Sequence, residues 1–125
     1  MLGVFRATGG LLSADFMAVL LRRHFDQPLS LLARWIVRRE VLTVPTCGRN
    51  CLPMFQFDPV ALAVRPAVRD AMTELRDVFD DTEMLAWFAE SNLLLDGRSP
   101  AEAVLCHPAA VVQAARSDRF VATGW

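Results

Sequence analysis

Cysteine and histidine are the residues through which this chain would do covalent or metal chemistry, and it holds three of the first and two of the second in 125 residues. Cys47 and Cys51 lie four apart across a turn signal, and Cys106-His107 adds two donors of the kind zinc accepts. Zinc knuckles favour two residues between paired cysteines; here there are three, and nothing else pairs with the set. A cysteine activated by a histidine is the nucleophilic alternative, with Cys106 beside His107 or Cys51 with His24 as the pairs. Adjacent residues on a helix point in different directions, so Cys106 and His107 do not easily share a proton. No Gly-x-Ser-x-Gly, phosphate loop or His-Glu-x-x-His occurs. Asp80, Asp81 and Glu83 suit the positive end of a helix better than a catalytic dyad. The expectation is a protein that is not an enzyme, with no catalytic residue, cofactor or metal.

Arginine offers a different chemistry. All 13 basic residues are arginine, against 14 acids. Guanidinium groups make bidentate contacts with phosphate, guanine edges and carboxylates, although a GC-rich genome yields the same bias. The charge is split along the chain. Residues 1–57 hold seven arginines against three acids, a balance of +4, whereas residues 58–125 hold six against eleven, a balance of −5. Two halves of opposite sign suggest two tasks. Hydrophobic residues make up 54 % of the chain, so either the core is efficient or some apolar surface awaits a partner. No apolar run approaches the ~18–20 residues that span a bilayer. Residues 1–16 are interrupted by Arg6, Gly9, Gly10 and Asp15, and the cysteine count is odd. A cytoplasmic protein is therefore expected.

These side chains must be positioned by regular elements. Ser13 reads as an N-cap, with Phe16, Met17, Leu20, Leu21 and His24 at helical spacing to about residue 24. A second helix opens at Asp26-Gln27-Pro28 and runs to about Arg39. Leu31, Leu32, Trp35 and Ile36 form its apolar side, and Gln27, Ser30, Arg34 and Arg38 its polar stripe. Val41-Leu42-Thr43-Val44 is strand-like, a turn follows through residues 45–50, and residues 52–57 return as a second strand with Pro53 marking an edge. Helix, turn, helix and β-hairpin are the parts of a winged helix, whose second helix enters the major groove. Ser30, Arg34, Arg38, Arg39 and Arg49 are then the candidate DNA contacts, against a plain hairpin of helices with a solvated arginine face.

Residues 58–66 contain two prolines and form the expected boundary between units of residues 1–57 and 58–125. Beyond it Val68, Ala71, Met72, Leu75, Val78 and Phe79 mark an amphipathic helix, and Asp80-Asp81-Thr82 caps another that carries Met84, Leu85, Trp87 and Phe88 inward. That helix is expected to end at Asn92, before a tight turn at Asp96-Gly97. Ser99, Pro100 and Glu102 then spell a capping box for a short helix to Cys106, and His107-Pro108 starts a last one running to about Arg116. Trp35, Trp87 and Phe88 are expected in the core; Trp125 is either a frayed end or an anchor for a partner. The fold expected is mainly α: a helical bundle preceded by a small helix-turn-helix and β-hairpin unit.

At Trp87-Phe88, Asn92, Leu95-Asp96-Gly97, Ser99-Pro100-Ala101-Glu102 and Leu105 the sequence resembles the Xre/MbcA/ParS toxin-binding family, the antitoxins of RES-domain toxin systems and their stand-alone relatives. His107-Pro108, Val112 and Ala114-Ala115-Arg116 continue the pattern, so the resemblance covers residues 60–122. Residues 13–57 depart from the several-helix DNA-binding domain of the better-known members and look like an excisionase-type winged helix instead. The resemblance implies an antitoxin-like regulator that neutralises a cognate RES-type, NAD-consuming toxin. Binding to its own promoter is expected of the winged-helix-like unit, as a homodimer, because a single such unit reads too few base pairs. The resemblance points to Arg116, Arg119, Phe120 and Trp125 as partner-binding residues near the C-terminal end. The alternative is a DNA-binding regulator whose bundle only dimerises.

Overall fold

The computed structural model describes residues 2–46 and 49–124, with the side chains of residues 2–4, 46 and 49 outside that description. The protein is mainly helical with a small three-stranded antiparallel sheet. Two compact units divide it, residues 1–64 and 65–125.

In the first unit a 3-10 segment, Leu2–Thr8, leads into β1 (Leu11–Ser13), α1 (Ala14–Leu21), α2 (Pro28–Val37), β2 (Val44–Thr46) and β3 (Arg49–Pro53). Gly9 and Gly10 both have positive φ, 104° and 73°, and so turn the chain out of the 3-10 segment without a Cβ penalty. Strand order is β1-β3-β2, with Leu12 opposite Leu52 and Pro45 opposite Asn50. The hairpin thus gains a third strand. Leu11-Leu12-Ser13 is too short to show alternation, and its serine is also the N-cap of α1, accepting from the Phe16 N–H at 3.2 Å. The added strand makes β3 the middle one, so Pro53 does not mark an edge. It is tolerated as the last residue, and the edge proline is Pro45 in β2.

The two helices are shorter than their periodicity suggests. α1 stops at Leu21, leaving His24 exposed and packed edge-on to Phe25. Phe16 is also 54 % exposed, because the buried side of α1 runs through Met17, Ala18 and Leu21. α2 closes on Arg39, whose φ of 56° lets the Glu40 N–H reach the Trp35 carbonyl at 2.8 Å in a left-handed C-terminal cap. Trp35 packs between Phe25 and Phe57, and Phe5 stacks on Phe55.

One polar side chain is sealed in this core. Gln56 has no exposed surface, and its amide accepts from the Leu42 N–H at 2.7 Å and donates to the Leu42 carbonyl at 3.0 Å. It closes both backbone groups of a residue that precedes β2 and has no strand partner of its own. Residues 58–64 also belong here. The Asp58 carboxylate accepts from the Val60 and Ala61 N–H groups, both at 2.8 Å, and Phe57 bridges to Val64. The proline-rich connector is folded back as a closed loop, which moves the division from residue 57 to residue 64.

The second unit comprises α3 (Pro66–Leu75), α4 (Asp81–Ala89), a 3-10 turn (Leu93–Leu95), α5 (Pro100–Ala103) and α6 (Pro108–Ala122). Pro66 and Pro108 line one groove and Glu74, Arg116 and Phe120 another, so α3 and α6 run in parallel. Small buried residues, Ala71 on α3 and Ala114 and Ala115 on α6, permit that approach. α4 ends before Asn92, which instead caps the 3-10 turn by accepting from the Leu94 N–H at 2.9 Å. α6 extends past Arg116 to Ala122, because nothing before Gly124 (φ 78°) breaks it.

Both N-caps form full capping boxes, Asp80 with Glu83 and Ser99 with Glu102. The Ser99 hydroxyl bonded to Glu102, then the Ser99 backbone N–H, hold the Glu102 carboxyl below its ordinary value, with Arg98 adding to the effect. Hydrogen bonds to the ionised form give stability that is present above the unfolded-state pKa and lost as pH falls through the folded-state one. Thermal melts should therefore show Glu102→Gln less stable than the native chain at neutral pH, with the difference closing as the pH falls through and below the carboxylate range. In the first unit, Gln56→Ala leaves the Leu42 N–H and carbonyl unpaired. Urea unfolding should register a loss of roughly 2–3 kcal/mol.

Candidate functional site

The Trp87–Glu102 corner works as a fixture for α6. The Trp87 indole N–H donates to Asp118 Oδ2 at 2.6 Å, and the Asn92 amide lies 3.5 Å from the same oxygen. Asn92 is bonded on three further sides. Its N–H donates to the Arg98 carbonyl, and its own carbonyl accepts from the Leu95 and Gly97 N–H groups, all at 3.0 Å. Asp96 and Gly97 are both left-handed, at φ 57° and 80°, which reverses the chain in time for Ser99 to cap α5. Trp87 is consequently half-buried rather than sealed in the core, with its ring packed edge-on against the buried Phe88 at 4.9 Å.

Beyond Asp118, α6 presents its last turns to solvent. Glu74 on α3 bonds Arg116 Nε at 3.3 Å and Arg119 Nη1 at 3.2 Å. The two guanidinium groups stay 56 % and 46 % exposed, so each pair contributes little, about 0–1 kcal/mol. Their effect is to order two cationic groups side by side. Phe120, 64 % exposed, and Val121, 76 % exposed, follow on the same helix. Glu74, Arg116, Arg119, Phe120 and Thr123 line an open groove of about 440 Å³. Arg116, Arg119 and Phe120 are thus brought together on a rigid helix, not on a loose tail. Trp125 lies outside the described residues.

In the first unit, Ser30, Arg34 and Arg38 form one exposed stripe along α2 and its C-cap. Arg39 departs from that stripe, half-buried at the left-handed cap. Arg49 opens β3, and its side chain lies outside the described residues, as does Cys47 entirely. Cys51 is half-buried in the sheet, Cys106 is exposed at the end of the turn after α5, and neither is in a disulfide. Among the described residues no group of three or more His, Cys, Asp or Glu is placed to hold a metal ion. No described helix is long and apolar enough to cross a membrane.

Two residues central to these surfaces escaped the sequence reading: Asp118 and Glu74. Both had a signal. Arg116 and Arg119 fall on one helical face and call for an acid on a facing helix, which α3 supplies. Trp87 and Asn92 both carry N–H donors that need an acceptor once they approach α6. Comparison with known protein families, curated proteins and solved structures finds no match to this chain.

Asp118→Ala strands the indole N–H and should destabilise the protein by about 1–3 kcal/mol in denaturant titrations. Asp118→Asn keeps an acceptor oxygen and should cost less, while both variants alter the Trp87 fluorescence.

Proposed function

We propose that the protein is an antitoxin-like regulator of the Xre/MbcA/ParS type, acting by occupying a partner's site. The second unit binds and neutralises a cognate RES-type toxin, and the first binds promoter DNA, with a homodimer in the cytoplasm as the working form. The observation that carries this reading is the exposed end of α6. Phe120 and Val121 stand in water beside two arginines ordered by Glu74, on a helix anchored by Asp118. An aromatic flanked by guanidinium groups has the composition of an interface hot spot. The Trp87, Asn92, Gly97 and Ser99-Pro100 pattern supports the family assignment, since these residues build the corner that supports α6.

The DNA-binding half is supported by the β1-β3-β2 sheet beside two consecutive helices and by the open Ser30, Arg34 and Arg38 stripe. Dimerisation follows from the few base pairs one such unit reads.

A search for a RES-domain reading frame beside this one, followed by co-expression with that toxin, tests the toxin reading. The native chain should preserve cellular NAD and co-purify with that protein. Phe120→Asp should reduce co-purification at least tenfold, with its melting temperature unchanged because the side chain is exposed. If the native chain neither protects NAD nor co-purifies, the toxin reading is wrong, and a salt-sensitive DNA complex would leave the regulator whose bundle only dimerises.

A further inference from the structure

The exposed half of α2 is divided down its length. At about 100° per residue, Leu29, Ala33 and Val37 fall on one quarter of the helix circumference, and Ser30, Arg34 and Arg38 on the next. All six are exposed, Leu29 at 68 % and Val37 at 81 %. Leu32 and Trp35 hold the opposite side in the core. An apolar stripe this open gains nothing from water, and valine is a mediocre helix former. The cationic stripe is equally uncommitted. Residues 27–39 contain no acid, and among the described residues neither Arg34 nor Arg38 has an ion-pair partner, in contrast to Arg116 and Arg119.

One surface offers both complements side by side. In the major groove of duplex DNA the thymine C5 methyl is the apolar feature, and guanine O6 and N7 are the paired acceptors for arginine. Four residues advance about 6 Å along a helix, close to two base-pair steps of about 3.4 Å. The spacing of each stripe therefore matches alternate base pairs. Residues 1–64 carry seven arginines against four acids, a charge of the sign that phosphates attract.

We infer that α2 reads duplex DNA by two chemistries at once: Arg34 and Arg38 on guanine edges about two base pairs apart, and Leu29, Ala33 and Val37 on the methyl groups of neighbouring thymines. The inference rests on the DNA-binding half of the proposed function and specifies its ligand. The apolar stripe then discriminates thymine from cytosine, and the arginine stripe fixes register.

The test selects duplexes bound by the full-length protein from a random 24-base-pair pool at roughly 0.1 M salt, a level at which phosphate contacts still operate. The selected duplex is then remade with deoxyuridine in place of thymidine, which removes only the methyl, and separately with 7-deazaguanine in place of guanine, which removes N7. Removing one bound methyl should weaken binding roughly fourfold, and removing N7 from one bound guanine should weaken it about tenfold or more. The triple variant Leu29→Ser, Ala33→Ser, Val37→Ser, at three exposed positions, should bind the thymidine and deoxyuridine duplexes alike while keeping its sensitivity to 7-deazaguanine. Arg34→Gln with Arg38→Gln should do the converse. Equal affinity of the native protein for the two pyrimidine versions would overturn the inference and leave DNA binding standing. Absence of any salt-sensitive DNA complex would remove both. Serine variants that dissociate a protein complex but bind the selected duplex normally would make the apolar stripe a protein-docking face and overturn the inference as well.

Discussion

Asp118 is the group on which the second unit turns. Its carboxylate accepts from an indole on α4 at 2.6 Å and faces the amide of Asn92 at the corner, so three separate segments are referred to one oxygen. A half-buried carboxylate is costly to desolvate unless donors surround it, and Trp87 and Asn92 are such donors. Because Asp118 lies on α6, the bonds that satisfy it also set where the following turns point. Arg119, Phe120 and Val121 are exposed in a definite direction as a result, and Glu74 adds a second attachment through Arg116 and Arg119 on either side of Asp118.

The first unit solves a similar problem with a neutral group. Leu42 lies between α2 and β2, buried, with a backbone that no strand pairs. The Gln56 amide supplies one acceptor and one donor in the geometry of a peptide group, so the loop after α2 is pinned as firmly as a strand. This places β2 against β3 and leaves the outward half of α2 unobstructed. In both units a single planar polar group, set among hydrophobic rings, decides how a surface is presented.

Local patterns were readable where one residue's chemistry acts on its own neighbours. Ser13, Pro28, Asp80, Ser99 and Pro108 all start helices as their types require, and Asp96-Gly97 makes the reversal. Failures occur where the deciding partner is far along the chain. Leu11-Leu12 becomes a strand only because β3, some forty residues later, lies alongside it. Residues 58–66 read as a linker from their two prolines, yet Asp58 closes the stretch to residue 64 into a loop through backbone N–H groups that composition does not reveal. Of the candidate site residues, Arg34 and Arg38 were identifiable by spacing, and Arg116 and Arg119 by the family resemblance. Glu74, which orders two of them, sits 42 residues from Arg116 and carries no local mark. Leu29 and Val37 fall outside the apolar side read from the sequence, and only their exposure shows that they form a stripe of their own.

Every side-chain hydrogen bond and strand pairing described above closes within residues 1–64 or within residues 65–125. A genetic crossover between Val64 and Arg65 would cut none of them. Each of those bonds is therefore specified by one of the two stretches of coding sequence alone. The two stretches also differ in charge through their acids rather than their arginines, seven arginines against four acids before that seam and six against ten after it.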